Sequence, residues 1–236
     1  MITVILPTML IPDGVADKIQ EWSKSPFVKE IIVINNTNTE IDTKNNPKVI
    51  QIVEGENKYV VPAWNKGYLQ SSSDILCFAN DDIDFDIDVF EFISNNLTKD
   101  MGMVGMDEYH GNGVWEDEPG CDRSRSEERR GKRFPMKLKE VVTDRKPGFA
   151  CIWFIHKENY MRIPQDMKIF FNDDILYYYQ IYKGRKNYAL MNFDIVGKVG
   201  QTTIKPWAQE FMRKDQAVYI KYSNNYSLLE SYNGII

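Results

Sequence analysis

Cysteine and histidine are both scarce in this chain, and each shortage excludes a class of protein. Three widely spaced cysteines (Cys77, Cys121, Cys151) in 236 residues make neither a disulfide framework nor a zinc site. Cys77 and Cys151 lie in apolar runs and read as buried thiols, whereas Cys121 sits in a polar stretch. Two histidines, His110 and His156, are too few and too scattered for a His-based metal cluster. No apolar run approaches bilayer length, and Met1 leads straight into Ile2-Thr3-Val4-Ile5-Leu6 without a basic leader. The expectation is a soluble, cytoplasmic protein. No internal repeat is visible. What is present, 43% hydrophobic residues with 13% aromatics, argues against disorder and for one domain over residues 1–236.

Short apolar runs alternate with helical periodicities along the first half. Ile2–Leu6 reads as a buried strand ended by Pro7-Thr8, and Val15, Ile19 and Trp22 recur on one helical face. Glu30–Ile34 and Lys48–Val53 are further strands, a helix follows from about Pro62 to Gln70, and Ile75–Ala79 is a strand. Asp86–Leu97 then reads as helix and Met101–Met106 as strand. Strands apolar on both faces, alternating with helices, predict an α/β fold with a mostly parallel sheet covered on both sides. Beyond Asp107 the pattern dissolves into Gly, Pro and charge as far as Lys146, a length expected of a functional lid or a partly disordered loop. Phe149–Ile155 returns to strand, Asp173–Tyr182 to helix with Asn172 as cap and Gly184 as stop, Tyr188–Met191 to strand, and Pro206–Tyr222 to helix.

Charge is unevenly spread. Residues 121–146 carry ten Lys/Arg against five acids, so this segment is +5 while the rest of a −5 chain is −10. Arg129, Arg130, Lys132 and Arg133 suit a phosphate-bearing partner; interspersed Glu127 and Glu128 suit a merely solvated loop. The run Tyr177-Tyr178-Tyr179 is mostly helix face and core, with one ring available to stack on a ligand.

The most informative stretch is Asn80-Asp81-Asp82, delivered to the carboxyl end of the Ile75–Ala79 strand, where open α/β sheets bind ligands. Two adjacent carboxylates repel each other. A divalent cation resolves that repulsion, and ligation by few carboxylates suits Mg²⁺ or Mn²⁺ carrying a substrate phosphate. A plainer alternative is an acidic turn capping the next helix, since Asp84, Asp86 and Asp88 follow.

Several ordered pieces together carry a resemblance. They are Val4-Ile5-Leu6-Pro7-Thr8, Glu30–Asn36, Glu56-Asn57 followed by Asn65-Lys66-Gly67, Asp74–Asp82, Gly148 before Phe149-Ala150, and Phe171-Asn172-Asp173-Asp174. In this order they resemble the nucleotide-sugar-dependent glycosyltransferases of the A-type fold, in particular inverting family 2, over roughly residues 2–200. The resemblance implies a single-domain, Rossmann-like glycosyltransferase. Residues 2–106 would bind the nucleotide, 107–200 would form an acceptor and catalytic half with the basic loop 121–146, and 201–236 a C-terminal helical tail. It implies a nucleoside-diphosphate sugar, UDP-linked, and Mn²⁺ or Mg²⁺ on Asp82, in the place of that family's DXD-type motif. Pro7, Thr8, Asn35, Asn36, Asn65, Asp81 and Gly148 would contact the donor, Asp81 nearest the ribose. Asp174, with neighbouring Asp173, would be the catalytic base, and Arg129, Arg130 and Arg133 would meet an acceptor glycan or a modified nucleic-acid base. The chain departs from the family where Asn35-Asn36 replaces an acidic pair, where Asp173 replaces a Glu, and where no His follows the catalytic segment, leaving Lys198 to neutralise phosphate.

Sugar transfer needs a held diphosphate, a neutralised leaving group and an activated hydroxyl. A metal on Asp82 would serve the second need and a carboxylate in hydrogen-bond reach the third. For Asp173 and Asp174, helix capping is the alternative reading, and for each Asn it is ordinary turn chemistry. Two other functions compete: a sugar-phosphate nucleotidyltransferase, which wants a Gly-rich basic loop where Leu6–Pro12 stands, and a non-catalytic nucleotide-sugar-binding module.

Overall fold

The structure, a computed structural model, describes residues 1–10, 13–106, 113–115, 135–142, 149, 151–193, 195–197 and 205–234. Its strands are β1 (Ile2–Thr8), β2 (Val28–Asn35), β3 (Val49–Val53), β4 (Ile75–Ala79), β5 (Ile83–Phe85), β6 (Met101–Met106), β7 (Gly113–Trp115), β8 (Lys137–Glu140), β9 (Ile152–His156), β10 (Lys186–Met191) and β11 (Ile195–Gly197). The helices are α1 (Val15–Ser23), α2 (Val60–Gln70), α3 (Asp88–Asn96), α4 (Asn172–Tyr182), α5 (Pro206–Ser223) and α6 (Tyr226–Tyr232).

Eight strands form one sheet in the order β3-β2-β1-β4-β9-β6-β10-β8, and β5-β11-β7 form a small second sheet. The expected α/β, mostly parallel architecture is observed. β3, β2, β1 and β4 run parallel, β9 runs antiparallel between β4 and β6, and β8 is an antiparallel edge. Period-two alternation sends β1 side chains to both faces. Ile2, Val4 and Leu6 join Ile19 and Trp22 of α1 on one side, while Ile5 meets Val61 and Trp64 of α2 on the other. α2 approaches β1 closely because residue 67 is glycine: a Cβ there would overlap the Ile5 side chain.

Some boundaries differ from the sequence reading, with physical causes. β1 does not stop at Leu6 but runs through Pro7 and Thr8, which pair with Ile34 and Asn35. β4 leaves the β1 ladder after Ile5, so the N–H that Pro7 lacks has no partner to miss on that side. α2 begins at Val60, putting Pro62 in the first turn, where no intrahelical N–H bond is needed. Within the basic segment, Lys137–Glu140 is no irregular loop but an edge strand on β10, its exposed lysines alternating with Leu138. Most of the rest of residues 107–148 lies outside the described residues. Among the described residues no helix is long and apolar enough to cross a membrane.

Candidate functional site

The chain builds β1, β2 and β3 outward, then returns to place β4 on the other flank of β1, with α1 and α2 on opposite faces. The crevice where strand order reverses is the ligand-binding position of such sheets. Thr8 ends β1 there and Asp81 follows β4.

The two meet directly: Thr8 Oγ1 donates to Asp81 Oδ2 at 2.6 Å. The same hydroxyl accepts from Leu10 N at 2.9 Å, which fixes its orientation. Lys18, on α1, donates from Nζ to the Asp81 carbonyl oxygen at 2.8 Å and lies 3.5 Å from Asp84 Oδ1. Burial raises the Asp81 carboxyl above its usual range, opposed by the Thr8 hydrogen bond and by Lys18. Asp82 is pushed up to about 6, first by burial and then by the Asp81 charge. Thus two adjacent, poorly solvated carboxylates share one lysine, and that lysine spends its short bond on a main-chain oxygen. The residues present fit a divalent cation, because it would relieve this repulsion. Among the described residues no group of three or more His, Cys, Asp or Glu gathers, so these residues offer a cation this pair and leave room for phosphate oxygens and water.

Asn35 and Asn36 reach the same crevice but are engaged in shaping it. Asn35 Nδ2 donates to Thr39 O at 2.6 Å, and its Oδ1 accepts from Thr37 N and Thr37 Oγ1. Asn36 N donates to Thr8 O at 2.8 Å, and Asn36 Oδ1 accepts from Lys58 N. Asn65 stands apart from these. Its Oδ1 accepts from Tyr160 OH at 3.0 Å and from Ile163 N at 2.9 Å, while Nδ2 donates to Ile163 O at 2.7 Å. That buried amide stitches α2 to residues 160–163, with both carbonyl lone pairs and one Nδ2 hydrogen engaged by protein. Gly148, Lys198, Arg129, Arg130 and Arg133 lie outside the described residues.

The second carboxylate pair comes to the same edge by topology. β10 runs parallel to β6, and both β6 and β4 run antiparallel to β9, so β10 and β4 point the same way. α4 feeds β10 through Lys183–Arg185, with Gly184 at φ 73° ending the helix, and therefore runs back along the sheet. Its first turn, with Asp173 and Asp174, lies at the carboxyl edge of β4. Asn172 opens the turn, donating from Nδ2 to Ile169 O and accepting at Oδ1 from Asp173 N. Asp173 is 2% exposed, whereas Asp174 is half-buried and the more accessible of the two. The helix N-terminus favours negative charge at both. Tyr177 and Tyr179 are buried and Tyr178 half-buried, so this run is core, as its spacing suggests.

Two residues that the sequence reading missed hold these acids. Lys18 is one. The other is Asp215 of α5, fully buried, which accepts from Lys168 N, Ile169 N and Phe170 N at 3.0, 2.7 and 2.9 Å. It grips the segment that leads into α4.

These features define the glycosyltransferase A-type fold, a single α/β domain. Among solved structures the chain is similar to GalNAc-T7 with UDP, GalNAc and Mn²⁺, at a TM-score of 0.58 and 13% identity, covering 94% of this chain and 50% of that one. It is also similar to S. aureus TarS 1–349, at a TM-score of 0.50 and 14% identity, covering 85% and 58% respectively. The chain thus spans 50% and 58% of those two structures, and at such identities the likeness speaks for the fold alone. No protein-family model and no curated protein sequence matches it.

Proposed function

We propose that this protein is a glycosyltransferase that moves a sugar from a nucleoside diphosphate, UDP by preference, to an acceptor hydroxyl with inversion. The observation that carries the reading is the Asp81–Asp82 pair at the sheet's switch point, buried enough to raise both carboxyls and tied to β1 through Thr8. Asp82 would hold Mn²⁺ or Mg²⁺, which when bound supplies Lewis-acid neutralisation of the diphosphate; the GalNAc-T7 structure contains UDP and Mn²⁺. Asp81 keeps its carboxylate oriented by Thr8 for a ribose hydroxyl, and Pro7, Thr8, Asn35 and Asn36 shape the nucleoside crevice.

In the transfer, the acceptor oxygen forms a bond to the anomeric carbon as the bond from that carbon to the diphosphate oxygen breaks. The electron pair leaves with the nucleoside diphosphate, and the hydroxyl proton passes to a carboxylate. Asp174 is that base, because it is the accessible acid of α4's first turn. Arg129, Arg130 and Arg133 are proposed to meet an acceptor glycan or modified nucleic-acid base, and Gly148 to border the donor sugar.

UDP binding measured calorimetrically with Mn²⁺ and with EDTA tests the donor half. Metal-dependent binding that Asp82→Asn abolishes is expected; equal binding in EDTA would remove the metal assignment. Asp174→Asn should retain donor affinity yet lower transfer by two to four orders of magnitude, the usual contribution of a positioned base. A near-normal rate for both Asp173→Asn and Asp174→Asn would remove the base, and inversion with it.

A further inference from the structure

Aromatic rings crowd the surface beside the first turns of α2 and α4. Tyr59, immediately before α2, packs against Phe211 with centroids 4.8 Å apart and against Trp207 at 6.4 Å. Phe171, immediately before α4, stacks on Tyr219 at 5.4 Å. All three partners belong to α5. Trp207 is 36% exposed, whereas Trp22, Trp64 and Trp153 are each 2% exposed or less.

Two lysines attend the rings. Lys168 Nζ lies 5.8 Å from the Tyr59 ring centre and Lys214 Nζ 5.6 Å from that of Phe211. Neither pairs with a carboxylate among the described residues. Trp207, Phe211 and Lys214 are spaced i, i+4, i+7 on α5, so they form one stripe about 10 Å long.

The backbone marks the same place independently. Tyr59 at φ 68° and Phe171 at φ 59° are both left-handed, which L residues with large side chains rarely adopt. Outliers of this kind gather at functional sites, where the surroundings must hold them. Here α5 holds both, through Phe211 and Tyr219. Phe171 is three residues from Asp174, and Val61 N donates to Lys168 O at 3.2 Å, so the strip joins the two helix starts at the carboxyl edge of the sheet.

From these placements we infer that the Tyr59–Trp207–Phe211 strip, with Lys168 and Lys214, is a subsite for an acidic carbohydrate chain. The C–H face of a sugar ring packs on an aromatic face, and an acidic substituent meets an ammonium that pairs with no carboxylate among the described residues. As an acceptor subsite it rests on the transferase reading; as a carbohydrate site it does not.

The test uses the full chain labelled with 5-fluorotryptophan and fluorine NMR, without donor or metal. Pentagalacturonate is the acidic probe, maltopentaose the neutral sugar and tripolyphosphate the sugar-free anion, all at matched ionic strength. Trp207→Phe assigns the resonance. Pentagalacturonate should move the Trp207 signal, maltopentaose should bind more weakly, and Lys168→Gln with Lys214→Gln should weaken pentagalacturonate about fivefold or more. Trp207→Ala should weaken it similarly in a protein whose melting is unchanged. An unmoved Trp207 signal, an equal response to tripolyphosphate, or unchanged affinity in Trp207→Ala would overturn the proposal. UDP with Mn²⁺ is titrated into the same sample. UDP binding without saccharide binding overturns the strip alone, whereas saccharide binding without UDP overturns the transferase reading and leaves a carbohydrate site.

Discussion

Replacing Asp215 by alanine should destabilise the protein by about 4 kcal/mol. The carboxylate is buried and accepts three main-chain N–H groups, from Lys168, Ile169 and Phe170. Hydrogen bonds to a charged partner contribute about 1.5–3 kcal/mol each, and a buried donor left unpaired costs about 1–3 kcal/mol. Three such donors, partly rescued by water entering the space left behind, give about 3–6 kcal/mol. For a domain of this size a loss of about 4 kcal/mol corresponds to roughly 8–16 °C in Tm. Asp215→Asn discriminates further. Its one carbonyl oxygen can still serve Ile169 and Phe170, which share Oδ2, but its amide faces the Lys168 N–H, so about 1–2 kcal/mol is expected. The loss should also reach α4, because Phe171 is held at φ 59°, a conformation costing about 1–3 kcal/mol unless its neighbours enforce it. Urea unfolding with an unchanged m-value, together with hydrogen exchange at Ile169 and Phe170, measures both effects. An Asp215→Ala protein within 1 kcal/mol of the wild type would refute the reasoning.

Two other changes test neighbouring arguments. Asp82 holds its proton more tightly folded than unfolded, at about 6 against an ordinary value of 3.8, so its burial costs nothing below pH 4 and the penalty grows as pH rises towards 6. Asp82→Asn should therefore stabilise the metal-free protein above pH 6, by at most about 3 kcal/mol, and flatten that limb of a Tm–pH curve; no gain at pH 7.5 would count against the buried pair. Gly67→Ala should cost about 1–3 kcal/mol in chemical denaturation, since the new methyl would overlap Ile5 across the α2–β1 contact, and a neutral result would show that α2 can shift.

The elements that were legible in the sequence are those whose burial is written in continuous apolar runs. Ile75–Ala79 and Met101–Met106 are strands at the expected residues, and the alternation of strand and helix gave the layered fold. The three-residue strands β5, β7 and β11 were not legible, because so short a segment carries no period. Nor was β8, where the alternation around Leu138 is swamped by the charge of its segment. The acidic pair was legible as two adjacent carboxylates after an apolar run, and the structure does carry Asp81 and Asp82 just beyond the end of β4. The stitch made by Asn65 was not legible because an amide's partners are not written beside it: they are Tyr160 and the Ile163 backbone. Asp215 was invisible for the same reason, since its partners are main-chain groups that any sequence would provide.

The antiparallel strand β9 has a consequence for how this molecule is made. β4 and β6 flank β9 and do not pair with each other, yet both are complete before the basic segment is synthesised. Until β9 arrives from beyond that segment, the growing chain presents two unpaired apolar edges, the surfaces on which chains stick to one another. The middle of the sheet is then closed by a long-range insertion, a slow kind of contact to form. Residues 2–106 are accordingly half a sheet with an open edge rather than a unit that matures first. The acidic crevice gains its second wall, through the bond from Asn80 N to Cys151 O, only when the far half of the chain has folded into the near one.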